Sequence, residues 1–473
     1  MHNPAVETEF ERALEAILTR VFCKKDADGY EPFSVNDVLK STRIAIAYSG
    51  GLDSSVLLHL AYRFAIKTGV SLFAFHVHHG LNRRADDWLD HCENECKRLG
   101  VSFDSRRVQL EGQSGDGIEA EARKKRYRAL GDMCREHRVP LLLTAHHEND
   151  QIETVLLQLL RGAGVAGLSG MEASASSPEL LGDDGPVLGR PLLSLSRQEL
   201  ASYLVETGAP HIDDDSNEDV KYTRNAIRHR LVPVLEDMFP GFGKRLVRTA
   251  GHAASAQRLL EEMAIKDFEL CRLEKNRLNL ECLRSLNRDR IDNLLRYWLS
   301  INGVRMPSTA WLVQARQQLM EAREDAQVDL YLDGFTIRRY RQTVSIHKAV
   351  GATGRSPEPL PVQWHGEHAI RLYPWHGTLY FTEDETGFDM SWLKGRKLRI
   401  ESYRGNAGLK LAGRPTKTLK ALCQEAGIPA WDRPFLPLIF VDDDLVYAGG
   451  VGMSANCLKK TGKCVQIRWE RDT

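Results

Sequence analysis

The chain has 473 residues, with Lys+Arg and Asp+Glu at 64 each and a formal net charge of +0. That length exceeds what one hydrophobic core serves, so about two to four domains are expected. The balanced charge excludes wholesale polyanion binding through net charge, and 42% hydrophobic residues exclude a largely disordered chain.

From Arg43 to about Gly189, short β-rich runs alternate with helical stretches. Arg43–Ser49 reads as a strand that stops at Gly50-Gly51, and Ser54–Lys67 as a helix with Val56, Leu57, Leu60 and Phe64 on one face. Strands at Ser71–Val77, Val101–Val108 and Pro140–Ala145 follow, separated by helices at Trp88–Leu99 and Ile118–His137; a helix at about Asn149–Arg161 closes the series. This alternation predicts an α/β domain built on a parallel sheet covered on both faces. Ligands then belong at the carboxyl ends of the strands, in the loops at Ser49, His76 and His146.

Ser196-Arg-Gln-Glu199 has the capping-box pattern for a helix to about Thr207. Helical periodicity dominates from Tyr222 to about Ala322, with Leu231, Leu235, Leu246, Leu259, Leu260 and Met263 expected in the core. Val328–Ile346 looks β-rich, Gly351–Pro361 reads as a linker, and short strands such as Thr378–Thr382 and Leu398–Ser402 lie beyond. The expected domains are residues 1–220, 221–350 and 362–473. Apolar runs are too short to span a membrane, and Met1–Thr19 lacks the basic start and apolar stretch of a secretory signal. Nine cysteines without a CxxC pair suit a reduced, cytoplasmic protein.

Ser49-Gly-Gly-Leu-Asp-Ser54 is the most informative stretch. Glycines between a strand and a helix let the backbone approach a ligand and aim free N–H groups at an anion, so a phosphate or pyrophosphate is the natural occupant. The Walker spacing and its Gly-Lys-Ser/Thr ending are absent. Asp53 beside phosphates needs a cation between them, and Mg²⁺ supplies it. The alternative is a plain Gly-Gly turn with Asp53 and Ser54 as helix caps.

The string resembles the phosphate loop of the N-type ATP pyrophosphatases, which cleave ATP between the α and β phosphates. Further motifs stand in the order found in the tRNA(Ile)-lysidine synthetase family. They are His76-Val-His-His-Gly-Leu-Asn82, Glu121–Tyr127, Thr144-Ala-His-His147 with Asp150-Gln-Ile-Glu153, Leu160–Gly164 with Gly167-Leu-Ser169, and Arg190-Pro-Leu-Leu193. Asp215-Ser-Asn217 and Arg224-Asn-Ala-Ile-Arg228 continue the match. The resemblance implies an adenine nucleotide alpha hydrolase-like N-terminal domain, then a helical substrate domain and a small α+β C-terminal domain. It also implies a reaction. ATP adenylates C2 of the wobble cytidine in the CAU anticodon of tRNA(Ile), and free L-lysine displaces AMP to give lysidine. Ser49, Gly50, Gly51, Leu52, Asp53 and Ser54 would bind ATP, Asp53, His147 and Asp150 would be catalytic, and Asp53 and Asp150 would hold Mg²⁺.

Such chemistry needs charge neutralisation at the α-phosphate, an accessible base and a deprotonated amine. His146, His147 and Asp150, at a strand end, can orient ATP, bind Mg²⁺ or take a proton from lysine; equally, a histidine can cap the strand end and Asp150 the helix. The chain departs from the family at Asn149, where an acid usually precedes the Asp. Asn brings no charge. His76, His78 and His79 suit loop contacts or packing better than zinc, since no partner stands at zinc spacing. Arg123-Lys-Lys-Arg126 with Arg128 suits a solvated helix face or tRNA phosphate contact, and Asp213-Asp-Asp215 either lysine recognition or a charged loop.

Near the C-terminus, Lys394, Arg396, Lys397, Arg399, Arg404, Lys410, Arg414, Lys417 and Lys420 face Glu401 alone in the sequence, a local excess that suits tRNA contact. Trp431 suits core packing or base stacking. Another phosphate-loop enzyme, such as a tRNA thiolase, is the competing reading, and the absent CxxC speaks against it. A non-catalytic tRNA-binding protein is a third, opposed by the intact loop. A homodimer is left open.

Overall fold

A computed structural model describes residues 4–22, 42–78, 80, 84–109, 117–212, 223–323, 328–348, 357–459 and 462–471. His79, Asp213–Asp215, Ser216 and Asn217 lie outside them. The chain divides into two compact units, Met1–Glu262 and Met263–Thr473.

The first unit is built on a sheet of β1 (Arg43–Ala47), β2 (Ser71–His78), β3 (Ser102–Arg107), β4 (Leu141–Leu143), β5 (Ser174–Ala175) and β6 (Val187–Gly189). Its order is β3-β2-β1-β4-β6-β5, parallel throughout except where the short β5 runs against β6. Helices α1 (Pro4–Phe22), α2 (Leu52–Thr68), α3 (Ala85–Leu99), α4 (Gly117–Glu136) and α5 (Glu148–Leu160) surround it. Val56, Leu57, Leu60 and Phe64 are buried, so α2 turns the expected face to the sheet. β4 is three residues, all buried, because flanking strands and helices cover both of its faces. Each expected strand and helix here is present, with ends moved by a few residues. β5 and β6 were not expected; runs so short carry no periodicity to read.

The strand order decides where chemistry can happen. From β1 the chain steps outward to β2 and β3, then returns to the other side of β1 to place β4. The loops after β1 and β4 therefore open side by side at the point where the winding reverses, the ligand crevice of open parallel sheets.

The capping-box helix is α6 (Arg197–Thr207), where Ser196 and Glu199 cap each other as expected. A short helix Thr223–Ala226 runs into a π-turn, Ile227–Leu231, and later into α7 (Phe242–Cys271). Leu231, Leu235 and Leu246 pack around Ile152, Leu156 and Ile227. Leu259 and Met263 do not belong to the core, at 65% and 44% exposed. Helical spacing shows that they share a face with buried positions, not whether anything covers that face.

In the second unit the helical run is interrupted by a hairpin, β7 (Arg272–Glu274) and β8 (Arg277–Asn279), turning at Lys275-Asn276. The hairpin joins β9 (Val328–Leu332), β10 (Phe335–Tyr340) and β11 (Thr343–Lys348) in a sheet ordered β7-β8-β11-β10-β9. α8 (Leu280–Ser285), Arg288–Ile301 and Thr309–Glu321 bury Leu283, Leu294, Trp298 and Leu312 in the core shared with that sheet. The sulfurs of Cys271 and Cys282 are bonded, which corrects the reading of all cysteines as free thiols. The hairpin brings the two together, and no CxxC spacing announces it.

Beyond residue 356 come two five-stranded antiparallel sheets around Trp364, Trp375, Phe381 and Phe388, with short helices Met390–Lys394 and Leu419–Glu425. The expected linker overlaps the first of these strands, Leu360–Gln363. It lies at a sheet edge, where Pro361 is tolerated without an N–H. No helix among the described residues is long and apolar enough to cross a membrane.

Candidate active site

The turn after β1 is shaped by the residues the sequence singles out. Gly50 has φ +86°, and a Cβ there would lie 3.0 Å from Cys92 Sγ and 3.2 Å from Ile212 Cδ1, so glycine is required twice over. The Gly50 carbonyl accepts the Ile212 N–H at 2.9 Å, and Gly51 bridges to Ile212, so the segment after α6 braces the loop. Across the turn, Ser54 Oγ accepts the Ser49 N–H at 3.3 Å, donates to the Gly51 carbonyl at 3.0 Å and lies 3.1 Å from Ser49 Oγ. No side chain caps α2 at Gly51, so the first-turn amides remain for an anion.

Asp53 and the residues after β4 meet across this crevice. His147 Nε2 lies 3.7 Å from Asp53 Oδ2 and 3.5 Å from Asp150 Oδ2, with the imidazole almost fully buried. Asp53 Oδ1 is buried without a hydrogen-bond partner among the described residues. Asp150 is fully engaged: Oδ2 accepts the His147 N–H at 3.0 Å, and Oδ1 accepts from Arg224 at 2.9 Å. Burial raises the Asp150 pKa, but the charges of His147 and Arg224 and the His147 N–H together outweigh it and hold the carboxyl below its ordinary value. His146, one residue earlier, turns the other way, with Nδ1 2.8 Å from Thr144 Oγ1. Burial lowers its pKa to about 3, opposed by Asp150 and helped by the nearby Arg190 and Arg123. It is therefore neutral near pH 7.

Behind Asp150 stands a cluster that joins two of the sequence motifs, Asp150–Glu153 and Arg224–Arg228, whose pairing neither motif announces. Glu153, buried at 2% exposure, receives Arg224 Nε at 2.7 Å and Arg228 Nε at 2.5 Å. Arg224 thus spans Asp150 and Glu153, and the π-turn swings Arg228 onto the same carboxylate. The available signal was the spacing: two arginines four apart on one helical face and two acids three apart on another. Gln151 clasps the backbone of Met171, donating at 3.0 Å and accepting at 2.7 Å.

Other candidates sit apart from this centre. His76 Nδ1 lies 2.9 Å from the Tyr48 carbonyl, and His78 Nε2 lies 3.3 Å from Asp86, which Arg107 also holds. No group of three or more candidate ligands suited to a metal occurs among the described residues. In the basic run, Arg123 and Arg126 flank the ring of the buried Tyr127, and Lys125 bonds the Gln109 carbonyl and Glu121. The C-terminal tract is less bare than its sequence: Arg396 pairs with Asp442, Arg399 and Arg404 with Glu401, and Arg414 and Lys417 with Glu425. Lys397, Lys410 and Lys420 form no ion pair among the described residues. Trp431 packs between Arg338, 5.0 Å from its ring, and Tyr340.

The PP-loop domain family matches residues 22–235, the TilS substrate binding domain residues 278–345, and the TilS substrate C-terminal domain residues 398–469. The chain is 39% identical over 444 residues to the tRNA(Ile)-lysidine synthase of Burkholderia pseudomallei (strain K96243), an alignment covering 87% of this chain and 89% of that protein. Identity is 36% over 418 residues to that of Coxiella burnetii (strain RSA 493 / Nine Mile phase I), covering 88% and 90%. It is 36% over 438 residues to that of Escherichia coli O157:H7, covering 92% and 98%. With all three domains in order and relatives aligned over most of its length, this chain belongs to the tRNA(Ile)-lysidine synthase family.

Proposed function

We propose that the chain ligates free L-lysine to C2 of the wobble cytidine in the CAU anticodon of tRNA(Ile), through an adenylated tRNA intermediate, releasing AMP and pyrophosphate. The observation that carries this reading is the meeting of Asp53, His147 and Asp150 at the mouth of a Ser49–Ser54 loop without a Walker lysine. The loop amides and first-turn N–H groups of α2 would hold the phosphates of ATP and leave the α-phosphate facing the crevice. The cytidine oxygen attacks there, and pyrophosphate leaves. The lysine amine then attacks C2 and AMP departs.

Asp53 fits a Mg²⁺ anchor, because Oδ1 is buried with no partner among the described residues and Mg²⁺ takes one or two carboxylates plus phosphate oxygens. When bound, the ion would neutralise charge developing on the phosphates. Asp150 has less to offer it. Both its oxygens already serve His147 and Arg224, so in this geometry it acts by fixing them. His147 is the group placed to take the amine proton at Nε2, with a carboxylate on either side to stabilise the imidazolium. Neutral His146 and the Arg224–Glu153–Arg228 cluster hold this end of the sheet rigid.

Residues 1–220 are assigned to ATP chemistry, and 221–350 and 362–473 to gripping the tRNA, in a cytoplasmic enzyme. Sedimentation at two protein concentrations distinguishes monomer from homodimer. Nucleotide products analysed with and without the cytidine-bearing tRNA test the function. AMP and pyrophosphate formed only with tRNA are expected; ADP and phosphate as main products would overturn it.

A further inference from the structure

Cys271 ends α7 and Cys282 lies in α8. Their sulfurs are bonded, with Cα atoms 5.3 Å apart across a separation of 11 residues. That spacing suits a bridge without backbone movement. The other described cysteines are free, and all but Cys457 are buried.

The fold around the pair has anchors besides the bond. Asn279 Oδ1 caps α8 by accepting the N–H groups of Glu281 at 2.8 Å and Cys282 at 3.1 Å. The Leu280 N–H donates to the Gln342 carbonyl at 2.8 Å, and Trp298 Nε1–H to the Lys275 carbonyl at 3.2 Å. Leu278, Leu280 and Leu283 are buried in the core that also contains Cys271. These anchors fix the hairpin and the start of α8 independently of the sulfurs. The two cysteines differ in access: Cys271 is fully buried, whereas Cys282 is partly exposed.

We propose that Cys271 and Cys282 form a reversible dithiol–disulfide site, closed by a low-molecular-weight disulfide such as glutathione disulfide. Closure fastens the end of α7 to the substrate-binding part of the chain. The partly exposed Cys282 thiolate attacks one sulfur of glutathione disulfide, forming a mixed disulfide and releasing one glutathione thiolate. The Cys271 thiolate then attacks the Cys282 sulfur and releases the second glutathione. Two protein thiols become one disulfide, two glutathione thiols are formed from their disulfide, and the two protons pass to the released thiolates. Reversal needs only excess glutathione. The bridge closes the β7–β8 hairpin, so the oxidised form opens less readily there.

The full chain is equilibrated in excess glutathione or excess glutathione disulfide, then alkylated after denaturation, peptide-mapped and melted. Alkylation of Cys271 and Cys282 only after the reduced incubation is expected, with the oxidised form melting roughly 5–10 °C higher. Cys282→Ser should melt alike in both buffers. Cys282→Ala serves as the second variant should serine disturb folding. Alkylation of both residues after either incubation would overturn the site, as would a melting difference that survives in these variants. A bridge that persists in excess glutathione under native conditions would overturn its reversibility.

Discussion

The side-chain oxygen of Asn149 accepts the backbone N–H of Arg197 at 3.0 Å. Arg197 is the first residue of α6, and this N–H is one of those a helix leaves unpaired at its start. This chain uses a neutral acceptor to tie the beginning of α5 to that of α6. Asn149 is therefore committed to structure.

Asn149→Asp should leave turnover and Mg²⁺ dependence within about twofold of the parent, because the new carboxylate can accept the same N–H. Asn149→Ala should lose about 1 kcal/mol of stability, the typical value of such a terminus bond. Activity titrated against Mg²⁺, with melting curves, checks both. A gain in activity or Mg²⁺ affinity in Asn149→Asp would mean that the site runs short of an acid.

Asp53 is a different case. Its side chain is 33% exposed and one oxygen has no partner among the described residues, so its charge does little for the fold. Asp53→Asn should cut turnover by more than about 100-fold while the melting temperature barely moves. Near-normal turnover would remove Asp53 from the phosphate chemistry.

Glu153 should behave in the opposite way. Both oxygens of this buried carboxylate are held by Arg224 and Arg228, and neutralising it leaves the two arginines sharing Asp150 alone. Glu153→Gln should lose about 3–5 kcal/mol of stability. Activity should also fall, because Arg224 no longer has a second anchor while it holds Asp150. Denaturant unfolding measures the first effect, and a melt unchanged from the parent would show that the cluster does not brace the site.

How much of this was legible in the sequence follows from the range of each interaction. The alternation that makes the sheet, the Ser49–Ser54 turn and the α6 capping box are local patterns, and they could be read directly. That Asp53 would face His147 and Asp150 depends on β4 returning beside β1, a pairing with no local signature. The β7–β8 hairpin was hidden because its strands are only three residues long. Leu259 and Met263 were misplaced because periodicity reports a face, not its cover. The C-terminal tract looked uniformly basic because Asp442 and Glu425, which neutralise parts of it, lie beyond the window being counted.

That pairing changes which residues should grip tRNA. Replacing Lys397, Lys410 and Lys420 with Ala should weaken tRNA binding and leave ATP affinity alone. The dependence of log K on log salt should flatten by roughly 0.7–0.9 for each phosphate that a lysine no longer neutralises. Replacing Arg396 and Arg399 should mainly lower stability, through their pairs with Asp442 and Glu401. Binding at three salt concentrations with a melting curve separates the effects; an unchanged slope in the lysine variant would take the tract out of the tRNA interface.

The most direct test of the central claim is the chemical identity of the wobble nucleoside. tRNA(Ile) with a CAU anticodon is incubated with the full chain, ATP, Mg²⁺ and isotope-labelled lysine, then digested and analysed by mass spectrometry. Ligation at C2 predicts a labelled lysidine at that position, formed in step with AMP and absent when lysine is omitted. A wobble cytidine left unchanged while ATP is consumed, or one carrying sulfur in place of lysine, would contradict it.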